Sequence, residues 1–298
     1  MSSIQPEQLR EKAADLVRQL AQGCSAGGSI GSFSTVAYES SWVSLVQKKE
    51  ANGDKKWRFP ECFQYLLDTQ DENGGWTGIR CPSEVDAILN ALAALLSLKK
   101  HKEEPLNCEI PLDLENRISK ATTFLESELR DWDVESSDHV GFEVLVPTLL
   151  QLLENEGLSF KEIPGLPALM SLNSKKLSKF NPNFVYGPTK LTLIHSLEAL
   201  IGRIDFDKVS HHKVSGSFMG SPAATAAYLI YSSKWDEEAE AYLANVVANG
   251  SGKGSGGMPS AYPTPFFELT WVSHILCPEC QMLRFLRSSQ HFFFPASQ

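Results

Sequence analysis

No stretch of this chain reaches the ~18 unbroken apolar residues that mark a membrane-spanning helix. The richest run, Ala87 to Leu98, is short and interrupted by Asn90. The N-terminus (MSSIQPEQLREKAADLV) has no apolar core of a secretory signal, so a cytoplasmic location is expected. Basic charge is scarce: 27 Lys and Arg against 36 Asp and Glu leave a net charge of −9. No nucleic-acid partner is expected, because phosphate binding needs clustered Lys and Arg. Cysteine is sparse, six in all at 24, 62, 81, 108, 277 and 280. Without an export signal these read as reduced thiols. Cys277-Pro-Glu-Cys280 is a lone CxxC with no second ligand pair at zinc spacing, so helix packing is the expected role. Strand-like alternation is nearly absent. With 42% hydrophobic and 21% charged residues, the composition is that of a globular protein of one large domain or two smaller ones.

What the chain does have is helical periodicity. From Glu84 to Lys99, Val85, Ile88, Leu89, Leu92, Leu95 and Leu96 recur at three and four, one face of a 3.6-residue period. Leu114, Ile118, Ala121, Leu125 and Leu129 repeat the pattern after Pro111. Residues 142–154 are nearly all apolar, which suits a buried inner helix. Further helices are expected over Lys190–Ile201, Pro222–Tyr231 and Glu237–Ala248, the last stopped by Asn249-Gly250. Pro6 sets up a helix over Glu7–Leu20. Gly and Pro clusters at 27–28, 73–75, 164–167 and 251–259 mark turns. Together these predict an all-α fold of antiparallel helical hairpins stacked into one body.

Three segments exceed generic helix packing: Tyr38–Val43 (YESSWV), Gln70–Trp76 (QDENGGW) and Gly216–Ala226 (GSFMGSPAATA). Singly they read as two Trp-anchored turns and a Ser-Pro helix start, with Ser221 as cap and Pro222 in the first turn. In order, with Gly141–Leu150 (GFEVLVPTLL), Ile194–Glu198 (IHSLE) and Pro259–Glu268 (PSAYPTPFFE), they resemble the class II diterpene cyclases, the copalyl diphosphate synthase family. That family's segments run YDTAWVA, QxxDGGW, GFEVxFPSLL, LLHSLEG, GSFxxSPSATA and PxxYPVDLFE. Trp57–Phe63 (WRFPECF) resembles the fungal members.

The resemblance implies an α-barrel γ domain inserted after the first helix of a second α-barrel, the β domain. On that mapping, residues 1–35 are a β-type first helix, 36–265 the γ-like barrel, and 266–298 a β-type helix and tail. Class II cyclases protonate an alkene with a carboxylic acid in a DxDD motif on the β domain, a role that demands a poised, protonated Asp. No DxDD occurs in this sequence, and neither does the metal-binding DDxxD. Asp205-Phe206-Asp207 reads as an inter-helix turn, and Asp236–Glu240 as acids opening a helix. The NGSGKGSGG stretch at 249–257 has no GK[ST] ending, so it reads as a flexible connection.

The resemblance also implies site residues. His195 matches the His that, in family members of one stereochemical type, holds with an Asn the water removing the final proton; Ser260 stands where that Asn would be. A hydroxyl can hold water but cannot present an amide. His195 also reads as a satisfied core histidine. Glu143 would help bind Mg²⁺-diphosphate if the family role carries over, or else make a helix-end or inter-helix hydrogen bond. Tyr38, where Glu39 replaces the usual Asp, together with Trp42 and Tyr262, would line the substrate cavity. No resident cofactor or metal is expected; Mg²⁺ enters only with a diphosphate substrate.

Three functions follow. In the first, the chain is a repurposed relative in fungal terpenoid biosynthesis. It holds an apolar terpenoid for a cofactor-free pericyclic closure of the Diels–Alder type, or an isomerisation, through restricted rotors and a single polarising hydrogen bond. In the second, it is the N-terminal portion of a copalyl diphosphate synthase that needs a DxDD-bearing partner. In the third, it is a non-catalytic subunit, its apolar terminal helices docking on a cyclase or on a second copy.

Overall fold

The computed structural model describes residues 31–77, 83–137, 139–189 and 191–276, with helical backbone also at 11, 12, 14, 15 and 18. The chain divides into two compact units, Ser34–Ser260 and a second made of Met1–Phe33 with Ala261–Gln298. Cys277 and Cys280, and the C-terminal aromatic run, lie outside the described residues.

The larger unit is mainly helical. It begins with β1 (Thr35–Val36) and α1 (Ala37–Ser44), then the strands β2 (Gln47–Lys49) and β3 (Lys55–Trp57). Next come α2 (Pro60–Thr69), α3 (Glu84–Glu103), α4 (Leu114–Asp131), α5 (Phe142–Asn155), α6 (Leu166–Leu177) and α7 (Pro182–Tyr186). A 3₁₀ segment over Thr192–Leu200 and two short 3₁₀ turns lead to α8 (Pro222–Tyr231), α9 (Glu237–Asn249) and β4 (Met258–Pro259). No helix among the described residues is long and apolar enough to cross a membrane.

Helix α3 is the axis of this unit and packs on α1, α4 and α5. Its start is set by Ser83, whose Oγ accepts from the Asp86 N–H at 3.1 Å. Glu84 and Asp86 in the first turn and Lys100, His101 and Lys102 in the last complement its dipole. Ile88, Ala91, Leu92, Ala94, Leu95 and Leu98 are fully buried. The helix is thus enclosed on more than the single face that periodicity shows, and its alanines let neighbours approach.

Four expectations need correction. Tyr38–Val43 is not a turn but the body of α1, buried along nearly its whole length. Its small Ser40, Ser41 and Ser44 return their hydroxyls to carbonyls one turn back, which makes a polar run buriable. Lys190–Ile201 forms no regular α-helix: Thr192–Leu200 is 3₁₀ with a break at Ser196 (φ −131°, ψ 54°). Helix α5 is half-buried rather than internal, with Phe142, Val144, Val146, Leu149 and Leu153 inward and Gln151, Glu154 and Asn155 exposed. Two short antiparallel pairs also form, β1 with β4 and β2 with β3. The first, Thr35 opposite Pro259 and Val36 opposite Met258, joins the two ends of the unit.

The Gln70–Trp76 turn is anchored on α4 and α2. Gln70 Nε2 donates to the Gly74 and Arg117 carbonyls, and Trp76 Nε1 to the Leu66 carbonyl. Gly74 has φ +96°, and a Cβ there would lie 2.4 Å from the Lys120 carbonyl, so only glycine fits.

In the smaller unit, α10 (Pro265–Leu276) is held at its start by Glu268, whose Oε1 accepts from Ser32 N, Ser32 Oγ and Thr264 Oγ1.

Candidate functional site

The 3₁₀ segment carries His195 and, one turn on, Glu198. His195 is half-buried, and burial holds its imidazole below the usual histidine range. Near neutral pH it is therefore an uncharged ring that can accept a proton. Ser260 follows β4 and is half-buried. No hydrogen bond joins His195 to Ser260 among the described residues. Tyr262 belongs to the smaller unit, fully buried there against Gly31.

Tyr38 sits at the start of α1. Its N–H donates to Asn90 Oδ1 at 3.0 Å and its hydroxyl to Glu198 Oε1 at 3.0 Å. Trp42, one turn further, is 2% exposed. Its indole N–H has no acceptor in hydrogen-bonding geometry, yet lies near enough to the Tyr38 oxygen to favour its ionised form. Burial, then the charges of Glu198 and Glu39, outweigh this and push the phenol well above its ordinary value.

Glu143 stands apart from this group. Burial raises its carboxyl, but the Lys176 ammonium and the Gly141 N–H more than offset that and hold it below the usual range. Its Oε2 accepts from Gly141 N at 2.8 Å and its Oε1 pairs with Lys176. Both oxygens are thus engaged in closing the start of α5 against α6. A divalent cation there would compete with the exposed Lys176 ammonium for Oε1.

The acidic lookalikes have structural work too. Asp205 Oδ1 accepts from Asp207 N, and Asp236 Oδ1 caps α9 through Glu238 N and Ala239 N while its Oδ2 pairs with Lys213. A groove of about 530 Å³ runs between α5 and α6, lined by Leu150, Leu158, Ile163 and Met170 among others. None of the six expected site residues lines it.

Two buried residues were quoted in the motifs but given no role: Glu39 and Glu198, 6% and 3% exposed. Glu39 Oε2 accepts from Ala223 N, in the first turn of α8, at 2.6 Å. Ser221 Oγ caps the same helix at Ala224 N, 3.1 Å. Glu198 takes the Tyr38 hydroxyl on Oε1, while Oε2 has no partner. Neither forms an ion pair among the described residues. Burial raises both carboxyls, Glu198 to about 7, and the nearby Glu198 charge raises Glu39 further. The visible sign in the sequence was the replacement of Asp by Glu at 39, whose longer arm reaches the helix start.

No protein-family model matches the chain. Curated relatives do. It is 50% identical to a phyllocladan-16-alpha-ol synthase of Phomopsis amygdali, matching 94% of this chain and 29% of that protein. It is 48% identical to a copalyl diphosphate synthase of Talaromyces verruculosus, matching 90% and 28%. An ent-kaur-16-ene synthase of a Phaeosphaeria species is 42% identical, over 89% and 28%. Among solved structures, the ent-copalyl diphosphate synthase of Arabidopsis thaliana superposes with a TM-score of 0.70 at 23% identity, over 95% of this chain and 39% of that one. Abietadiene synthase of Abies grandis gives 0.71 at 24% identity, over 88% and 32%. The all-α fold is thus that of terpene cyclases, and by sequence the chain is a partial relative of the fungal class II diterpene cyclases, spanning just over a quarter of their length.

Proposed function

We propose that this chain supplies the acid-free wall of a diterpene-cyclising site. Ser34–Ser260 is the rigid body against which a flexible diphosphate-bearing terpenoid is folded. The carboxylic acid that protonates the alkene comes from a DxDD-bearing segment, on the same polypeptide or on a partner. The observation that carries this reading is the 42–50% identity to diterpene synthases along about nine-tenths of this chain, against just over a quarter of theirs. No DxDD occurs in the 298 residues, and the buried Glu39 and Glu198 accept from Ala223 N and the Tyr38 hydroxyl. In this reading His195, uncharged and half-buried, receives the proton lost as cyclisation ends. The apolar wall contributes by restricting the chain's rotors.

The test is complementation. The chain is incubated with geranylgeranyl diphosphate and Mg²⁺, alone and with the DxDD-bearing remainder of the Talaromyces verruculosus relative. A copalyl product only in the second case supports the reading. Product from the chain alone overturns it, as does failure of a remainder that works with its own matching segment.

A second reading has one observation in its favour: an uncharged imidazole in a body without a strong acid. Here the chain alone holds a preformed apolar terpenoid for a pericyclic closure or isomerisation, with His195 polarising the substrate. Deleting the gene in its host then leaves an intermediate of the same mass as the missing product. Loss of all diterpenoids supports the first reading instead.

A further inference from the structure

The groove between α5 and α6 is apolar yet open. Leu150 on α5, Leu158, Phe160 and Ile163 on the connection, and Leu166 and Met170 on α6 line it, and each keeps contact with solvent. Leu166 and Met170, one turn apart, are 36% and 44% exposed. They share the flank of α6 that forms the groove wall, whereas its outward positions Ser171, Ser174 and Lys175 are polar. Apolar side chains gathered in one concavity and left in water mark a binding site more than a chance surface.

Size and charge narrow the occupant. The cavity holds about 530 Å³, inside the ~300–1,000 Å³ of small-molecule sites. A helix about 10 Å across fills ~400 Å³ per turn, so the same space seats little more than one turn of a partner segment. The lining has one cation, Arg203, just after the turn at Gly202. Arg203 is exposed, and its guanidinium makes no ion pair or hydrogen bond among the described residues. Glu154, the one acid in the lining, accepts instead from Gln151 Nε2 at 3.2 Å. We propose that this groove binds an extended apolar chain that ends in an anion, its tail along Leu166 and Met170 and its head on Arg203.

A guanidinium takes a carboxylate or a phosphate through two parallel hydrogen bonds, so the head is of either kind. Two sources share this chemistry, a fatty acid and a diphosphate-bearing terpenoid. The tail supplies most of the affinity: each methylene fully withdrawn from water is worth about fourfold. The site is distinct from the cyclising wall proposed above, since neither His195, Ser260 nor Tyr38 lines it.

The experiment labels the methionine methyls of the whole chain with ¹³C and follows Met170 by NMR, with Met219 and Met258, which lie outside the groove, as references. Laurate and geranylgeranyl diphosphate are titrated separately, each below its micelle-forming concentration and without Mg²⁺. Expected is a saturable shift at Met170 with at least one of them, and the tighter one identifies the source. Its shorter homologue, octanoate or geranyl diphosphate, should bind at least about tenfold more weakly. Arg203→Gln should weaken the anion about tenfold and leave uncharged geranylgeraniol unaffected. Leu166→Glu, at an exposed position, should abolish the shift. No movement at Met170 below roughly 1 mM, an unchanged affinity in Arg203→Gln, or a shift confined to Met258, two residues from Ser260, overturns the proposal. So does a Met170 signal that moves with protein concentration alone, which assigns the groove to a second copy. These readouts involve no turnover, so they stand or fall independently of the cyclase reading.

Discussion

Asn173 makes the hydrogen bond that Pro147 withholds. Pro147 lies inside α5 and has no N–H to offer the Glu143 carbonyl one turn back. Asn173, 4% exposed on α6, donates its Nδ2 to that carbonyl at 2.7 Å. A proline that would leave a buried acceptor unmet is thereby converted into a joint between two helices. Asn173→Leu is expected to cost about 1–3 kcal/mol, the usual penalty of an unmet buried acceptor. In a Pro147→Ala background the helix supplies its own donor. The cost of Asn173→Leu should then shrink, giving a coupling of about 1 kcal/mol in a urea-unfolding double-mutant cycle. Additive effects would mean that Asn173 acts through packing alone.

Glu240 holds the β2–β3 hairpin to α9. It accepts from Arg58, from Lys48 at 2.5 Å and from Trp235 Nε1 at 2.7 Å. Burial would raise its carboxyl, but Arg58, Lys48 and Trp235 together hold it at about 2. Stability from this group is present above about pH 4.5 and lost as pH falls toward 2. Glu240→Ala leaves Arg58 without its carboxylate and Lys48 with only the exposed Glu237 at 3.6 Å. Fully buried pairs lose ~3–5 kcal/mol on such a change; Arg58 is 39% exposed, so solvent reduces the expected loss to about 2–3 kcal/mol. Thermal unfolding at pH 7 and at low pH checks both parts: the variant should be weaker at neutrality and converge on the parent in acid.

His101 adds to the acid sensitivity that Glu240 confers. It is wholly buried, stacked on Phe63 at 3.9 Å and on Trp57 at 4.1 Å. Burial lowers it to about 4, although its bond to the Ser97 carbonyl works the other way. The unfolded chain takes a proton near 6.5 and the folded one only near 4. Stability should therefore fall as pH drops across that window, by an amount on the order of 3 kcal/mol. His101→Phe keeps the ring stack and removes the titration. Its midpoint denaturant concentration should fall less steeply than the parent's between roughly pH 6.5 and 4, and a slope equal to the parent's would place the acid sensitivity elsewhere.

Much of the fold was legible where one rule governed. Apolar spacing at three and four located α3 and α4, and Ser-Pro located the start of α8. Legibility failed where tertiary contacts outvoted local pattern. Tyr38–Val43 has too many serines to read as a buried helix, because their hydroxyls are satisfied by the helix's own carbonyls. Thr192–Leu200 reads as α-helical, yet its backbone breaks at Ser196, and Tyr38 holds Glu198 in the same segment. The motif resemblance pointed to the right segments. It left Glu39 and Glu198 without roles, because burial of an acid against a helix start 184 residues away has no local signature.

His195 provides the sharpest check on the proposed function. Burial keeps its imidazole below the ordinary 6.5, so it remains a base where an exposed histidine would be half-charged. In the complemented complex, turnover that needs this base should hold level as pH is lowered to about 6.5 and decline only below it. His195→Ala should lower turnover by ~10²–10⁴-fold, the usual contribution of a positioned general base. Substrate affinity should change far less, because the imidazole acts on a proton lost late in the reaction. His195→Gln retains a polar group of similar reach that can hold water but cannot take a proton, so it should recover the fold and not the rate. Full activity in both variants would assign His195 to the core and leave proton removal to solvent or to the partner segment.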